Sequence, residues 1–205
     1  MKLFLASLIK HPKTFKHLES YVAGFTGKSI AYIPTAANGE GWQSWKCGDS
    51  WNILQSLESR VTVVQLEDYG KKDIITVLKG NDIVWVSGGM TGYLMYWIRR
   101  VKLDQAIHEL LQNTIYVGSS AGSMICGQTL QICDWFPGDE EPGAGIFPGL
   151  KLVNFDLFPH YNDDALEIIR KEYTGKALYL LKDGEEIIVD DGKVEVVGET
   201  RLITT

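Results

Sequence analysis

Cysteine is scarce in this 205-residue chain: Cys47, Cys126 and Cys133 are an odd set of three without metal-ligand spacing. That excludes a disulfide framework and a zinc module, and the thiols suit a reducing cytoplasm as buried or half-buried side chains. With six prolines and 22% charged residues, the chain is neither fibrous nor disordered in composition. Long hydrophobic runs are missing as well. The first apolar stretch, Leu3 to Ile9, contains Ser7 and leads into Lys10-His11-Pro12-Lys13 without a small-residue cleavage pattern. It reads as a core strand rather than a secretory signal, and no segment approaches the length of a membrane span. Positive charge is thin too. Twenty basic residues face 26 acidic ones for a net charge of −6, and the only basic cluster is Arg99-Arg100-Val101-Lys102. Nucleic acid is therefore an unfavourable partner.

What is present is an ordinary globular mixture, 45% hydrophobic and 11% aromatic. The length suits one α/β domain over residues 1–205, with a homo-oligomer left open. Strand and helix signals alternate. Strands are expected at Lys2 to Ile9, Ser29 to Ile33, Val61 to Leu66, Asp82 to Val86 and Thr114 to Val117. Helices are expected at Pro12 to Val22, Trp51 to Ser59, Asp73 to Leu78, Thr91 to Arg100 and Leu103 to Leu111. Asn38 to Ser50 reads as a loop. Repeated βα units imply a mostly parallel central sheet between two helical layers. Asp134 to Pro148, with Pro137, Pro142 and Pro148, reads as a long loop or lid. A strand is expected from Gly149 to Phe158 and a helix from Asp163 to Tyr173. Three further strands follow, Ala177 to Leu181, Glu186 to Val189 and Lys193 to Val197, parted by turns at Asp183-Gly184 and Asp191-Gly192.

Gly118-Ser119-Ser120-Ala121-Gly122 fits Gly-x-Ser-x-Gly where a strand should become a helix. In that context the central serine sits on a tight turn with its hydroxyl exposed, the arrangement of a nucleophile elbow. Gly118 and Gly122 leave room for the turn, and the following helix end favours a nearby oxyanion. Ser87-Gly88-Gly89 ends the neighbouring strand, so the N–H groups of Gly89 and Ala121 are the natural oxyanion-hole donors. A serine nucleophile needs a base. Of four histidines, His160 in Phe158-Pro159-His160-Tyr161-Asn162 stands at the same sheet edge, whereas His11, His17 and His108 belong to helices or their margins. An acid should orient the imidazole. Between Ser120 and His160 the candidates are Asp134, Asp139, Glu140, Glu141 and Asp156. Asp134 is preferred because it follows the strand-like Leu130 to Cys133, and Asp139 comes second.

The ordered set Ile33-Pro34-Thr35-Ala36, Val86-Ser87-Gly88-Gly89, Gly118-Ser119-Ser120-Ala121-Gly122 and Pro159-His160-Tyr161 resembles the serine peptidases that include aspartyl dipeptidase (dipeptidase E) and cyanophycinase. These are relatives of the class I glutamine amidotransferases. The resemblance implies the three-layer αβα fold of that group with C-terminal antiparallel strands. It also implies peptide-bond hydrolysis by Ser120 with His160 as general base, on a small peptide substrate, with no metal or organic cofactor. Met90 departs from the pattern, standing where relatives commonly carry asparagine. The arginine that reads an acidic substrate side chain in the dipeptidase has only Arg170 as a nearby counterpart, so aspartyl specificity does not carry over. An esterase and a non-catalytic binding module are the competing readings. Against the esterase, 45 residues follow His160 in this 205-residue chain (205 − 160).

Overall fold

The computed structural model describes residues 1–69 and 74–204. Its strands are β1 (Lys2–Ala6), β2 (Ser29–Ile33), β3 (Arg60–Val63), β4 (Ile83–Val86), β5 (Ile115–Ser119), β6 (Asp156–Phe158), β7 (Ala177–Leu180), β8 (Glu186–Asp190), β9 (Lys193–Val197) and β10 (Leu202–Thr204). Its α-helices are α1 (Pro12–Tyr21), α2 (Thr35–Glu40), α3 (Asp49–Ser56), α4 (Ile74–Leu78), α5 (Thr91–Arg100), α6 (Leu103–Leu110), α7 (Ala121–Met124) and α8 (Leu166–Glu172). Asp73, the expected first residue of α4, lies outside the described residues.

A seven-stranded sheet runs in the order β3-β2-β4-β5-β1-β8-β9. The first five strands are mutually parallel, and β8 and β9 are antiparallel additions beside β1. Parallel pairing follows from the chain itself, since a helical segment after each of β1 to β4 returns it to the starting edge. The β8–β9 hairpin turns through Asp191 (φ 46°) and Gly192 (φ 84°), the paired positive φ values that an Asp-Gly turn supplies.

Alternation along each strand divides the core. Leu3 and Leu5 face one layer, with Leu94, Met95 and Ile98 of α5 and Ile107 of α6. Phe4 and Ala6 face the other, with Leu18 of α1 and Leu54 of α3. Helix α5 buries Thr91, Leu94, Met95 and Ile98, the spacing of one helical face. The fold is therefore the expected αβα sandwich with antiparallel strands at its C-terminal end.

A second sheet, β10-β7-β6, was not foreseen. Its β6 and β7 are parallel, with Phe158 opposite Leu180, and their inward residues join the α5 and α6 layer of the core. Local assignments also change. Gly149 to Phe158 contributes a strand only at Asp156–Phe158, and the strand-like Leu130 to Cys133 is a 3₁₀ turn, Gln131–Asp134. The expected loop from Asn38 begins inside α2 and holds a 3₁₀ turn at Ser44–Cys47. Cys126 and Cys133 are buried, which pushes each thiol up to about 12, whereas Cys47 is exposed.

Candidate active site

Parallel sheets present their carboxyl ends to ligands, and here the ends of β4, β5 and β1 meet. Ser120 leaves β5 at φ 49° and ψ −113°, a conformation costly for a residue with a side chain. Its surroundings hold it there. Ser120 N–H donates to Ala6 O at 3.1 Å, while Ser120 O accepts from the N–H groups of Ser123 at 2.8 Å and Met124 at 2.9 Å. The flanking glycines are sterically required. A Cβ on Gly118 would stand 2.6 Å from Gly122 O, and one on Gly122 would collide with the carbonyl oxygen of Val86 on β4. Beneath the turn, Tyr116 Oη donates to Gly122 O at 2.6 Å. Complete burial raises the Tyr116 phenol well above its ordinary value, so it remains a donor.

His160 arrives from the second sheet, two residues past β6, with φ 54°. Its Nε2 lies 3.0 Å from Ser120 Oγ, and its Nδ1 lies 2.8 Å from Asp183 Oδ1. A carboxylate only accepts, so Nδ1 carries the proton toward Asp183 and Nε2 is left to accept the Ser120 hydroxyl. Asp183 follows β7 as His160 follows β6. The two ends are tied by Leu181 N–H to Phe158 O at 2.9 Å and Tyr161 N–H to Leu181 O at 3.0 Å.

The carboxylate that meets the imidazole is therefore Asp183 and not the expected Asp134. Asp134 does not meet His160, because its Oδ1 accepts the N–H groups of Gly143 at 2.7 Å and Gly145 at 3.1 Å and so braces the 134–148 loop. Asp156 is also consumed, taking Gln128 N–H, Thr129 N–H, Thr129 Oγ and the Tyr173 hydroxyl. Asp139 lines the cleft but makes no hydrogen bond to His160 among the described residues. Asp183 was missed because Asp-Gly before a strand reads as a turn. The one sequence hint was that Asp183, like His160, lies shortly after an expected strand.

Gly89 (φ 127°) lies against α2, where any Cβ would overlap the Ala36 carbonyl group. Met90 N–H is taken by Ala36 O at 3.0 Å, whereas the N–H groups of Gly89 and Ala121 have no backbone acceptor among the described residues. Met90 also occupies the N-cap position of α5 without capping it. Glu141 does so from the 134–148 loop, its carboxylate accepting Thr91 N–H at 2.6 Å and Gly92 N–H at 2.7 Å.

These elements enclose a cleft of about 650 Å³ that contains Ser120, His160, Gly88 and Gly89. Tyr32, Trp45 and Phe136 contribute aromatic wall. Trp45 is buried and packs edge-on to Trp51 with centroids 5.0 Å apart, so it serves both cleft and core, while Trp42 is exposed. Among the described residues the cleft lining includes one lysine or arginine, Lys10, whose ammonium lies 2.6 Å from Asp49. Arg170 is exposed in the last turn of α8, away from the cleft lining. No group of metal-ligating side chains occurs among the described residues, nor any helix long and apolar enough to cross a membrane.

A serine on a strained strand-to-helix turn, facing an imidazole at the carboxyl edge of a parallel sheet, places the molecule in the hydrolase class. Residues 3–197 match the model of peptidase family S51, and the chain belongs to that family. It is similar to an uncharacterised peptidase of Listeria monocytogenes serovar 1/2a, 29% identical over 195 residues that span 91% of this chain and 93% of the relative. A peptidase E of Haemophilus influenzae is 25% identical over 222 residues, spanning 99% of this chain and 91% of its own. The crystal structure of a candidate peptidase E protein from Listeria monocytogenes EGD-e superposes with a TM-score of 0.79 at 26% identity, covering 96% of this chain and 97% of that one. The protein is accordingly a peptidase.

Proposed function

We propose that the protein cleaves short peptides through a Ser120–His160–Asp183 triad. The observation that carries this reading is the continuous relay from Asp183 Oδ1 through the His160 ring to Ser120 Oγ, 2.8 and 3.0 Å in its two steps. Ser120 Oγ attacks the scissile carbonyl carbon as Nε2 removes its proton. Asp183 keeps Nδ1 protonated and stabilises the imidazolium. The carbonyl oxygen gains the negative charge and is received by the N–H groups of Gly89 and Ala121, at the start of α7. The C–N bond then breaks, His160 Nε2 gives its proton to the departing amine, and a serine ester of the acyl fragment remains. Water repeats the sequence on that ester and releases the acid. A cleft of about 650 Å³ is in the range that encloses a small ligand, which favours short peptides over folded chains.

The test is a dipeptide and tripeptide library assayed with the native chain and Ser120→Ala, alongside labelling by a fluorophosphonate. Hydrolysis and labelling that both vanish in Ser120→Ala support the proposal. Hydrolysis that persists unchanged in the variant overturns the nucleophile, and esters cleaved without peptides overturn the substrate class.

A further inference from the structure

Resting on that reading, we infer that Ser7 is the positioning residue that locks the base and the acid of the triad into one geometry. Three of the participating groups come from separate places: Ser120 from β5, His160 from beyond β6 and Asp183 from beyond β7. The last residue of β1 and the one after it together reach all three. Ala6 O accepts Ser120 N–H at 3.1 Å and the Ser123 hydroxyl at 2.8 Å. One residue on, the Ser7 hydroxyl accepts His160 N–H at 2.8 Å and donates to Asp183 Oδ1 at 2.9 Å. Ser7 N–H itself goes to Glu185 O at 3.1 Å, which fixes the residue against the chain leading into β8.

Three features give this hydroxyl a directed role. Ser7 is 0% exposed, so its hydroxyl is not shared with solvent; its proton goes to Asp183 and one lone pair to His160 N–H. Its proton goes to the same carboxylate oxygen, Oδ1, that receives His160 Nδ1–H. That doubly used oxygen cannot rotate away from the imidazole without surrendering a half-buried hydrogen bond. Its lone pair meanwhile fixes the backbone of His160, a non-glycine residue held at φ 54°, where L residues are rarely stable. Ser7 does not line the cleft, so it has no direct hold on substrate. It acts through two other residues and sets where Nε2 points.

The experiment compares the native chain with Ser7→Ala and Ser7→Cys, the latter keeping a weak donor of similar size. Initial rates on the best library peptide are split into kcat and KM, and the rate of fluorophosphonate labelling at Ser120 is measured in parallel. Ser7→Ala is expected to lose roughly 10- to 100-fold in kcat and in labelling rate, with KM within about twofold, because displaced reacting groups forfeit rate without forfeiting binding. Ser7→Cys is expected to fall between the two. An unchanged kcat in Ser7→Ala, or a change confined to KM, overturns the assignment. If Ser7→Ala does not fold, Ser7→Cys decides: a native kcat in that variant overturns the assignment and a reduced kcat at native KM supports it. Activity that survives Ser120→Ala refutes the triad itself and is a separate result.

Discussion

Replacing Gly122 by alanine tests the elbow by the sign of the stability change. Gly122 lies within α7 and does not have a positive φ, so local helix preference alone favours alanine by about 1 kcal/mol. The structure predicts the opposite. The added Cβ would collide with Val86 O and stand 3.0 Å from Val86 C and 3.1 Å from Val86 Cβ. Val86 is held on both sides, paired with Ile33 of β2 and Gly118 of β5, so its carbonyl has no room to retreat. Overpacking of this kind costs about 1–3 kcal/mol, and contact with fixed backbone belongs at the upper end. Subtracting the helix gain leaves about 2 kcal/mol of destabilisation, a drop of roughly 4–8 °C in Tm for a chain of this size. The displaced α7 would also carry Ala121 N–H away from the cleft, and peptide hydrolysis should fall about 100-fold. Circular dichroism melts and peptide assays read both effects. Gly41→Ala is the control, since φ there is 168° and its Cβ would find only Ser44 Cβ at 3.9 Å. It should be neutral or slightly stabilising. A Gly122→Ala protein as stable and as active as the native chain would refute the reasoning.

The two aspartates should separate cleanly in kinetics. Asp183→Asn is expected to lower kcat by about 10³- to 10⁴-fold through the wrong imidazole tautomer, whereas Asp134→Asn, facing Gly143 and Gly145, should stay within about threefold. Equal losses in both would count against the assignment of the acid. A pH effect on stability should appear far from the cleft. Asp82 accepts Ser29 N–H at 2.7 Å and the Ser29 hydroxyl at 2.8 Å, and these bonds hold its carboxyl below its ordinary value of 3.8. Because the folded value is the lower one, its contribution is present above the unfolded value and is lost as pH falls through the folded one. The stability gap between the native chain and Asp82→Ala should therefore narrow as pH falls below the ordinary value of 3.8 in urea titrations. A gap independent of pH would refute it.

The large sheet was legible because parallel strands buried on both faces write short apolar runs, as Ile83 to Val86 does. Helix α5 was legible in the same way, through its spaced apolar face. The meeting of Ser120 and His160 at one sheet edge could be anticipated because strand-to-helix glycines and a strand-ending histidine are local signals. The partner of the His160 ring could not be anticipated so. Asp183 joins His160 only because β6 and β7 pair in parallel, and a three-residue strand such as Asp156–Phe158 leaves no pattern that names its neighbour. Ser7 was hidden differently, as one polar residue in an apolar run whose partners lie 153 and 176 positions away. Glu141 sat in an acidic stretch that composition alone assigns to solvent, although two of its contacts are backbone N–H groups of α5.

The division of the relay between two sheets has its own consequence. The proposed nucleophile is built into the strand network at the molecule's centre, while the proposed base and acid sit at the ends of two strands of a three-stranded annex. If the proposed triad carries the reaction, a small separation of that annex silences the enzyme while leaving the elbow and most of the secondary structure in place. Turnover is therefore a finer gauge of how the two parts seat against each other than any melting curve.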